Sequence, residues 1–154
     1  MNLRQELDDV IDALTTGAIE YAVCGGMALA VHGHPRFTED LDLLIRSSDL
    51  ERVKDAVANL GFVIDTGWLR FGVDTPDEIH LYRLVKPEVK EHLILDLICV
   101  TPVLESVWDS RSTYQLPGGI VSVVSREGLI TMKQISGRDQ DHVDIRKLRE
   151  ASDD

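Results

Sequence analysis

The sequence predicts an α/β protein of the α+β kind, a mixed β-sheet flanked by helices. Three observations carry that prediction. Short apolar, strand-like runs alternate with amphipathic helical stretches through the first part of the chain. Tyr114-Gln115-Leu116 and Ile120-Val121-Ser122-Val123 flank Pro117-Gly118-Gly119 as a late hairpin. Leu93 to Val100 is apolar on both faces, as a central strand should be, apart from one aspartate.

Leu3, Leu7, Val10, Ile11 and Leu14 recur at helical spacing behind Asn2, a good N-cap, and Gly17 can end that helix. Tyr21 to Cys24 reads as a strand, Gly25-Gly26 as a tight turn, and Met27 to Val31 as a short helix that His32-Gly33-His34-Pro35 breaks. Asp40 to Ile45 is the next strand. A helix follows, with Ser48 and Glu51 as a capping box, Leu50, Val53, Val57 and Leu60 on one face, and Gly61 as its stop. From Phe62 to Pro87 the pattern loosens, and Ile79 to Val85 is the one strand it predicts. After Leu93 to Val100, Pro102 allows a short helix near Val103 to Trp108. Beyond the hairpin, Ser125 caps a helix through Ile135, Gly137 breaks it, and a last helix runs from Asp139 to Ala151.

The chain has 154 residues, the size of one domain, and we expect a single unit over 1–154. Its 44% apolar and 28% charged composition is that of an ordinary globular protein rather than a disordered or membrane one. No run approaches the roughly 20 apolar residues of a bilayer span, and the polar start does not read as a signal peptide, so a cytoplasmic protein without a membrane partner is expected. Cys24 and Cys99 sit in apolar runs without metal-type spacing and read as reduced core residues. A formal charge of −11 opposes an extensive nucleic-acid surface.

Asp40 and Asp42 stand two apart on a strand, so alternation puts both carboxylates on one face while Leu41, Leu43 and Ile45 pack on the other. Like charges that close repel unless a cation is shared. Mg²⁺ takes carboxylate and phosphate oxygens together, with Mn²⁺ as the alternative. Asp96 would complete the site if its strand lies beside the first, either as a further metal ligand or as the acceptor of a proton from an attacking hydroxyl. Gly25-Gly26 at a strand-to-helix junction offers backbone N–H groups to a phosphate.

These residues resemble the nucleotidyltransferase superfamily of the DNA polymerase β type, whose signature is Gly-Gly or Gly-Ser, a short spacer, Asp-x-Asp on the next strand and a later third carboxylate. More narrowly, Gly25-Gly26-Met27-Ala28, His32-Gly33, Arg36-x-Thr38-x-Asp40-Leu41-Asp42, Lys133, Gly137-Arg138 and Asp141-His142-Val143-Asp144-Ile145 resemble the minimal nucleotidyltransferases related to AbiEii-type toxins. The resemblance implies a nucleotidyltransferase fold and Mg²⁺-dependent transfer of a nucleoside monophosphate from an NTP to a hydroxyl on a protein, a tRNA or a small molecule. It implies Asp40, Asp42 and Asp96 as catalytic and metal-binding residues. It implies nucleotide contacts from Gly25, Gly26, Arg36, Thr38 and Lys133, and a cognate antitoxin as partner. Gly26 stands where many active relatives carry Ser, and Gln140 where a Lys commonly precedes the residue equivalent to Asp141.

Other readings stand beside these. Asp40 and Asp42 also suit a solvent-facing strand edge, and Asp96 a structural hydrogen-bonding role. Arg36 also suits a surface pair with Glu39 or Asp40, and Lys133 an exposed helix position. Asp141, Ile145 and Leu148 share a helical stripe, so Asp141 suits a supporting contact to Arg138 or Lys133. His32 and His34 lack further ligands for a metal, and Trp68 and Phe71 suit packing before base stacking. A nucleotide- or partner-binding relic without turnover, and a purely structural antitoxin-like protein, are the rival functions.

Overall fold

One seven-stranded sheet organises the chain, in the order β3-β4-β5-β2-β1-β7-β6. Its strands are β1 (Ala22–Cys24), β2 (Asp40–Ile45), β3 (Ile64–Phe71), β4 (Ile79–Lys86), β5 (Leu93–Cys99), β6 (Ser112–Leu116) and β7 (Gly119–Val123). The helices are α1 (Leu3–Thr16), α2 (Gly25–Val31), α3 (Leu50–Ala58), α4 (Glu105–Asp109), α5 (Arg126–Ser136) and α6 (Asp139–Glu150). This computed structural model describes residues 2–150; the expected helix end at Ala151 lies outside the described residues. The sheet is mixed: β2 runs parallel to β5 and β1 to β7, and the other neighbours are antiparallel. The α/β architecture expected from the pattern is the one observed.

Local chemistry explains most element boundaries. Asn2 Oδ1 accepts from the Gln5 N–H at 3.1 Å and starts α1, and Ser125 Oγ accepts from the Gly128 N–H at 2.9 Å and starts α5. Gly137 ends α5 with φ of 65°, the left-handed conformation glycine adopts most cheaply. Leu41, Leu43 and Ile45 of β2 are fully buried, each adding about 1.5–3 kcal/mol of apolar burial. Both cysteines are buried free thiols.

Three expectations need correction. The capping box at Ser48 and Glu51 does not form: Ser47–Asp49 winds into a 3₁₀ turn, so Asp49 takes the cap position of α3 and its carboxylate binds Arg52 instead. The short helix α2 begins at Gly25, inside the expected turn. The stretch from Phe62 to Pro87 holds two strands rather than one, because β3 pairs along β4 as the sheet's edge. Nearly every β3 residue is exposed, so it never developed the alternation that marks a half-buried strand.

Candidate active site

Sheet register assembles the site. Cys24 of β1 lies opposite Asp42 of β2, Asp42 opposite Asp96 of β5, and Asp96 opposite Arg83 of β4. Side chains paired across strands share a face, so Asp42, Asp96 and Arg83 form one lateral row, with Asp40 two residues along β2 on the same side. β2 is central, between β5 and β1, which removes the reading of Asp40 and Asp42 as the outside of a sheet edge.

A cleft of about 670 Å³ opens over this row. Gly25, Gly26, Arg36, Thr38 and Lys133 line it together with Asp40, Asp42 and Asp96, so the residues expected to form the catalytic and nucleotide site border one space. Arg83, Arg138 and Asp141 line it as well.

The carboxylates divide into two kinds. The Asp40 and Asp42 carboxylates make no hydrogen bond or ion pair with any described residue. Burial, followed by the neighbouring Asp96 carboxylate, raises Asp40 above the usual carboxylate range. Asp42 is raised to about 7, by burial first and then by the charges of Asp96 and Asp40. Asp96 differs: Arg83 Nε donates to its Oδ1 at 2.8 Å and Nη2 to its Oδ2 at 3.0 Å, a two-point guanidinium clamp. The Asp96 hydrogen bonds in turn hold Arg83 above its ordinary value.

Two glycines make the approach possible. Gly25 has φ of +65°, and a Cβ there would lie 2.0 Å from Asp42 Oδ2, so only a residue without a side chain lets the turn rest on that carboxylate. A Cβ on Gly26 would lie 2.8 Å from Thr38 Oγ1. The hydroxyl that relatives carry as serine at the second turn position thus has a counterpart: Thr38 fills the space that a serine side chain would need there.

Behind the row sits an ion network. Asp144, fully buried, accepts from Lys133 Nζ at 2.9 Å, Arg36 Nη2 at 3.0 Å and Gln140 Nε2 at 3.0 Å. Asp141 accepts from the Arg138 backbone N–H and Nε, each at 3.0 Å, and lies 3.7 Å from Lys133 Nζ. Burial opposes the ionisation of both, yet hydrogen bonds outweigh it: Arg138 and Ser136 hold Asp141, and Lys133, Gln140 and Arg36 hold Asp144, below the usual carboxylate range. Lys133 is buried, not the exposed lysine its helix position also suited. Arg36 pairs across the fold with Asp144 rather than with Glu39 or Asp40.

A divalent cation fits the unpartnered pair. The donors are hard carboxylate oxygens with no cation paired to them, and burial followed by the neighbouring carboxylates raises both above the usual range. Among the described residues no three His, Cys, Asp or Glu side chains group as a ready-made metal site. Arg83 occupies both oxygens of Asp96. His32 uses Nε2 on the Val124 carbonyl at 2.9 Å, and Trp68 packs edge-on against Tyr82 and His80, while Phe71 lines the cleft.

The model of the aminoglycoside-2″-adenylyltransferase family matches residues 6–148. The chain belongs to that family. It is therefore a nucleotidyltransferase, and the superfamily read from its motifs holds, whereas the comparisons do not bring out an AbiEii-type branch. Among solved structures, a candidate nucleotidyltransferase from Thermotoga maritima has a TM-score of 0.63 at 14% identity, covering 97% of this chain and 93% of that one. ANT(2″)-Ia, in a crystal structure with adenylyl-2″-tobramycin, has a TM-score of 0.61 at 14% identity, covering 96% and 87%. Its solution structure gives 0.64 at 14% identity, covering 98% and 85%. At that identity these likenesses establish the shared fold. No curated protein matches.

For this member of the adenylyltransferase family, sequence reasoning missed Arg83 and Asp144. Arg83 had a usable signal: Leu81-x-Arg83-x-Val85 places one cation on an otherwise apolar strand face, the complement of the lone Asp96. Asp144 stood in the motif from Asp141 to Ile145 without a role of its own, although its spacing of three from Asp141 and four from Leu148 puts it on the same helical stripe.

Proposed function

We propose that the protein transfers a nucleoside monophosphate from an NTP to a hydroxyl acceptor and releases pyrophosphate, with Mg²⁺, or Mn²⁺ in its place, held by Asp40 and Asp42. The observation that carries this reading is the pair of unpartnered carboxylates with raised pKa values, set against the Gly25 turn in a cleft lined by Arg36, Arg83, Lys133 and Arg138. A bound divalent cation would polarise the transferred phosphate and offset the charge of the leaving pyrophosphate. Gly25 and Gly26 present backbone N–H groups to the triphosphate, with the Thr38 hydroxyl beside them. Arg36 has a buried Nε without a partner, the kind of donor a phosphate oxygen satisfies, and Lys133 adds fixed positive charge behind it. With both oxygens on Arg83, Asp96 is assigned to the acceptor: it takes the hydroxyl proton as the oxygen attacks, and Arg83 orients it.

The acceptor named by the family, an aminoglycoside hydroxyl, and the broader set of protein, tRNA or small-molecule hydroxyls all fit this chemistry. A toxin-type role with a cognate antitoxin has the motif around Asp141 to Ile145 as its support. The test is incubation with each labelled NTP, Mg²⁺ and a cell extract, comparing the native protein with an Asp40→Ala/Asp42→Ala variant. Label transfer that the variant loses supports the proposal. Nucleotide binding without transfer under every condition would favour the binding-module reading, and neither binding nor transfer the structural one.

A further inference from the structure

Six of the nine large apolar side chains exposed among the described residues lie in one stretch: Val63, Ile64, Trp68, Leu69, Phe71 and Val73. They follow β3, an edge of the sheet, whose outer backbone N–H and C=O groups have no neighbouring strand. Edges are ordinarily kept from pairing by lysine, proline or short length. β3 has eight residues and neither lysine nor proline. Of its two charges, Asp65 is taken by Lys54 at 3.1 Å, while Arg70 forms no ion pair with a described residue. The opposite edge, β6, exposes Ser112, Thr113 and Gln115 instead.

The strand also carries its own register. A bulge between Asp65 and Gly67 ends regular pairing on one side, and Gly72, with φ of +62°, bends the chain beyond the other. The regular stretch is therefore Gly67 to Phe71, and its centre is Leu69. When two copies of one strand pair antiparallel about a two-fold axis normal to the sheet, the axis falls on one residue and opposed residues share a face. With the axis at Leu69, that residue meets its counterpart, Trp68 meets Arg70, and Gly67 meets Phe71. The free guanidinium of Arg70 then reaches the exposed indole of Trp68. A Cβ on Gly67 would meet nothing within 4 Å, so the ring of Phe71 has open space to fill. An axis at Arg70 would instead oppose two guanidiniums, and one at Trp68 would set Arg70 against the bulge.

We propose that β3 is a homodimer surface: two copies pair through Gly67 to Phe71, antiparallel about Leu69, and join their two sheets into one. Leu69 and Phe71 stand in register with Leu81 and Ile79 on the cleft face, so both clefts open on the same side of the joined sheet. Phe71 lines the cleft and belongs to the interface as well, which brings the second copy to the rim of the site. The dimer does not depend on the transfer reading. A pairing of five residues is at the small end of specific interfaces, so a Kd of about 10–100 µM is expected.

Sedimentation velocity of the full chain, from about 5 to 500 µM, should show a monomer giving way to a dimer across that range. Leu69→Lys sets two ammonium groups face to face on the axis and should weaken the dimer at least about tenfold, with circular dichroism to confirm the fold. Cysteine variants oxidised with diamide read the register separately, since Cys24 and Cys99 are buried. Leu69→Cys should cross-link the dimer, because directly opposed Cα atoms lie about 4.5–5.5 Å apart, within disulfide reach. Arg70→Cys should not, because its two copies stand diagonally, about 7–8 Å apart. A monomer at every concentration overturns the second copy as occupant and leaves the edge to an extended peptide or to nothing. A dimer that a folded Leu69→Lys variant leaves unweakened overturns β3 as its surface; should that variant not fold, absence of a Leu69→Cys cross-link does so. Cross-linking through Arg70→Cys as readily as through Leu69→Cys overturns the register.

Discussion

Asp42 offers the sharpest quantitative test, because replacing it should stabilise the protein while destroying its site. A carboxyl held at about 7 in the fold instead of its ordinary 3.8 costs up to about 4 kcal/mol to ionise there. The cleft admits water, which screens part of that cost, so we expect about 2–4 kcal/mol. The sign follows from linkage. Between pH 3.8 and about 7 the unfolded chain has released this proton and the folded one keeps it, so stability falls as pH rises through that window and levels off above it. Asp42→Asn removes the charge at nearly constant shape. It should match the wild type near pH 3.5 and exceed it by about 2–4 kcal/mol at pH 8 in metal-free urea denaturation. Adding Mg²⁺ at pH 8 should recover stability in the wild type and not in the variant, since a ligand that binds only the native state stabilises it. If metal-free Asp42→Asn were no more stable at pH 8 than the wild type, or gained equally from Mg²⁺, the unpaired carboxylate would not be the metal-binding feature argued above.

Two further substitutions probe the supports of the site. Gly26→Ser, which brings the turn to the form common in relatives, should cost about 1–3 kcal/mol, because its Cβ would press on Thr38 Oγ1 and Thr38 Cβ at 2.8 and 2.9 Å. Thr38→Ala should recover part of that loss, and strictly additive effects in a double-mutant cycle would show that the two positions do not share one space. Asp144→Asn leaves Lys133 buried without its nearest counter-charge and should cost about 3–5 kcal/mol in denaturation at pH 7. Because Asp144 is held below the usual carboxylate range, its contribution is present at neutral pH and is lost as pH falls through that lowered value, so wild type and variant should converge in acid.

The parts of this architecture legible in the sequence are those that depend on neighbours in the chain. Alternation put Asp40 and Asp42 on one face, helical spacing placed Asp141, Ile145 and Leu148 on one buried stripe, and caps marked the starts of α1 and α5. Pairing across long separations was not legible. Asp42 meets Asp96 only because β5 returns parallel to β2 after the β3–β4 hairpin, and nothing local to either aspartate encodes that return. Arg83 lay in the stretch with the weakest pattern, between an edge strand exposed almost throughout and a loop with Pro87. Its importance follows from register with Asp96, a property of the folded sheet. Asp144 lies on the buried stripe of α6, and three donors from α5, α6 and the segment before β2 converge on it. A polar helix residue becomes a core residue by acquiring partners, and partners are what a single sequence hides.

The same long-range pairings explain why Asp40 and Asp42 stay free. Four cations line the cleft, and each would lower its energy by collapsing onto those two carboxylates. Three aspartates prevent it: Asp96 holds Arg83, Asp141 holds Arg138, and Asp144 holds Arg36 and Lys133. The pairing leaves Asp40 and Asp42 without a paired cation, which is where the proposed divalent cation would bind. Arg83 already interacts with Asp40 and Asp42 at longer range, so it is the cation best placed to fall inward once released. Asp96→Asn should therefore weaken Mg²⁺ binding by about tenfold or more in calorimetry without nucleotide, although Asp96 is not assigned to the metal. Adding Arg83→Gln to that variant should restore most of the affinity, because the competing cation is then gone. A loss that persists in the double variant would instead make Asp96 a metal ligand, and would return the site to the three-carboxylate shell that the sequence led us to expect.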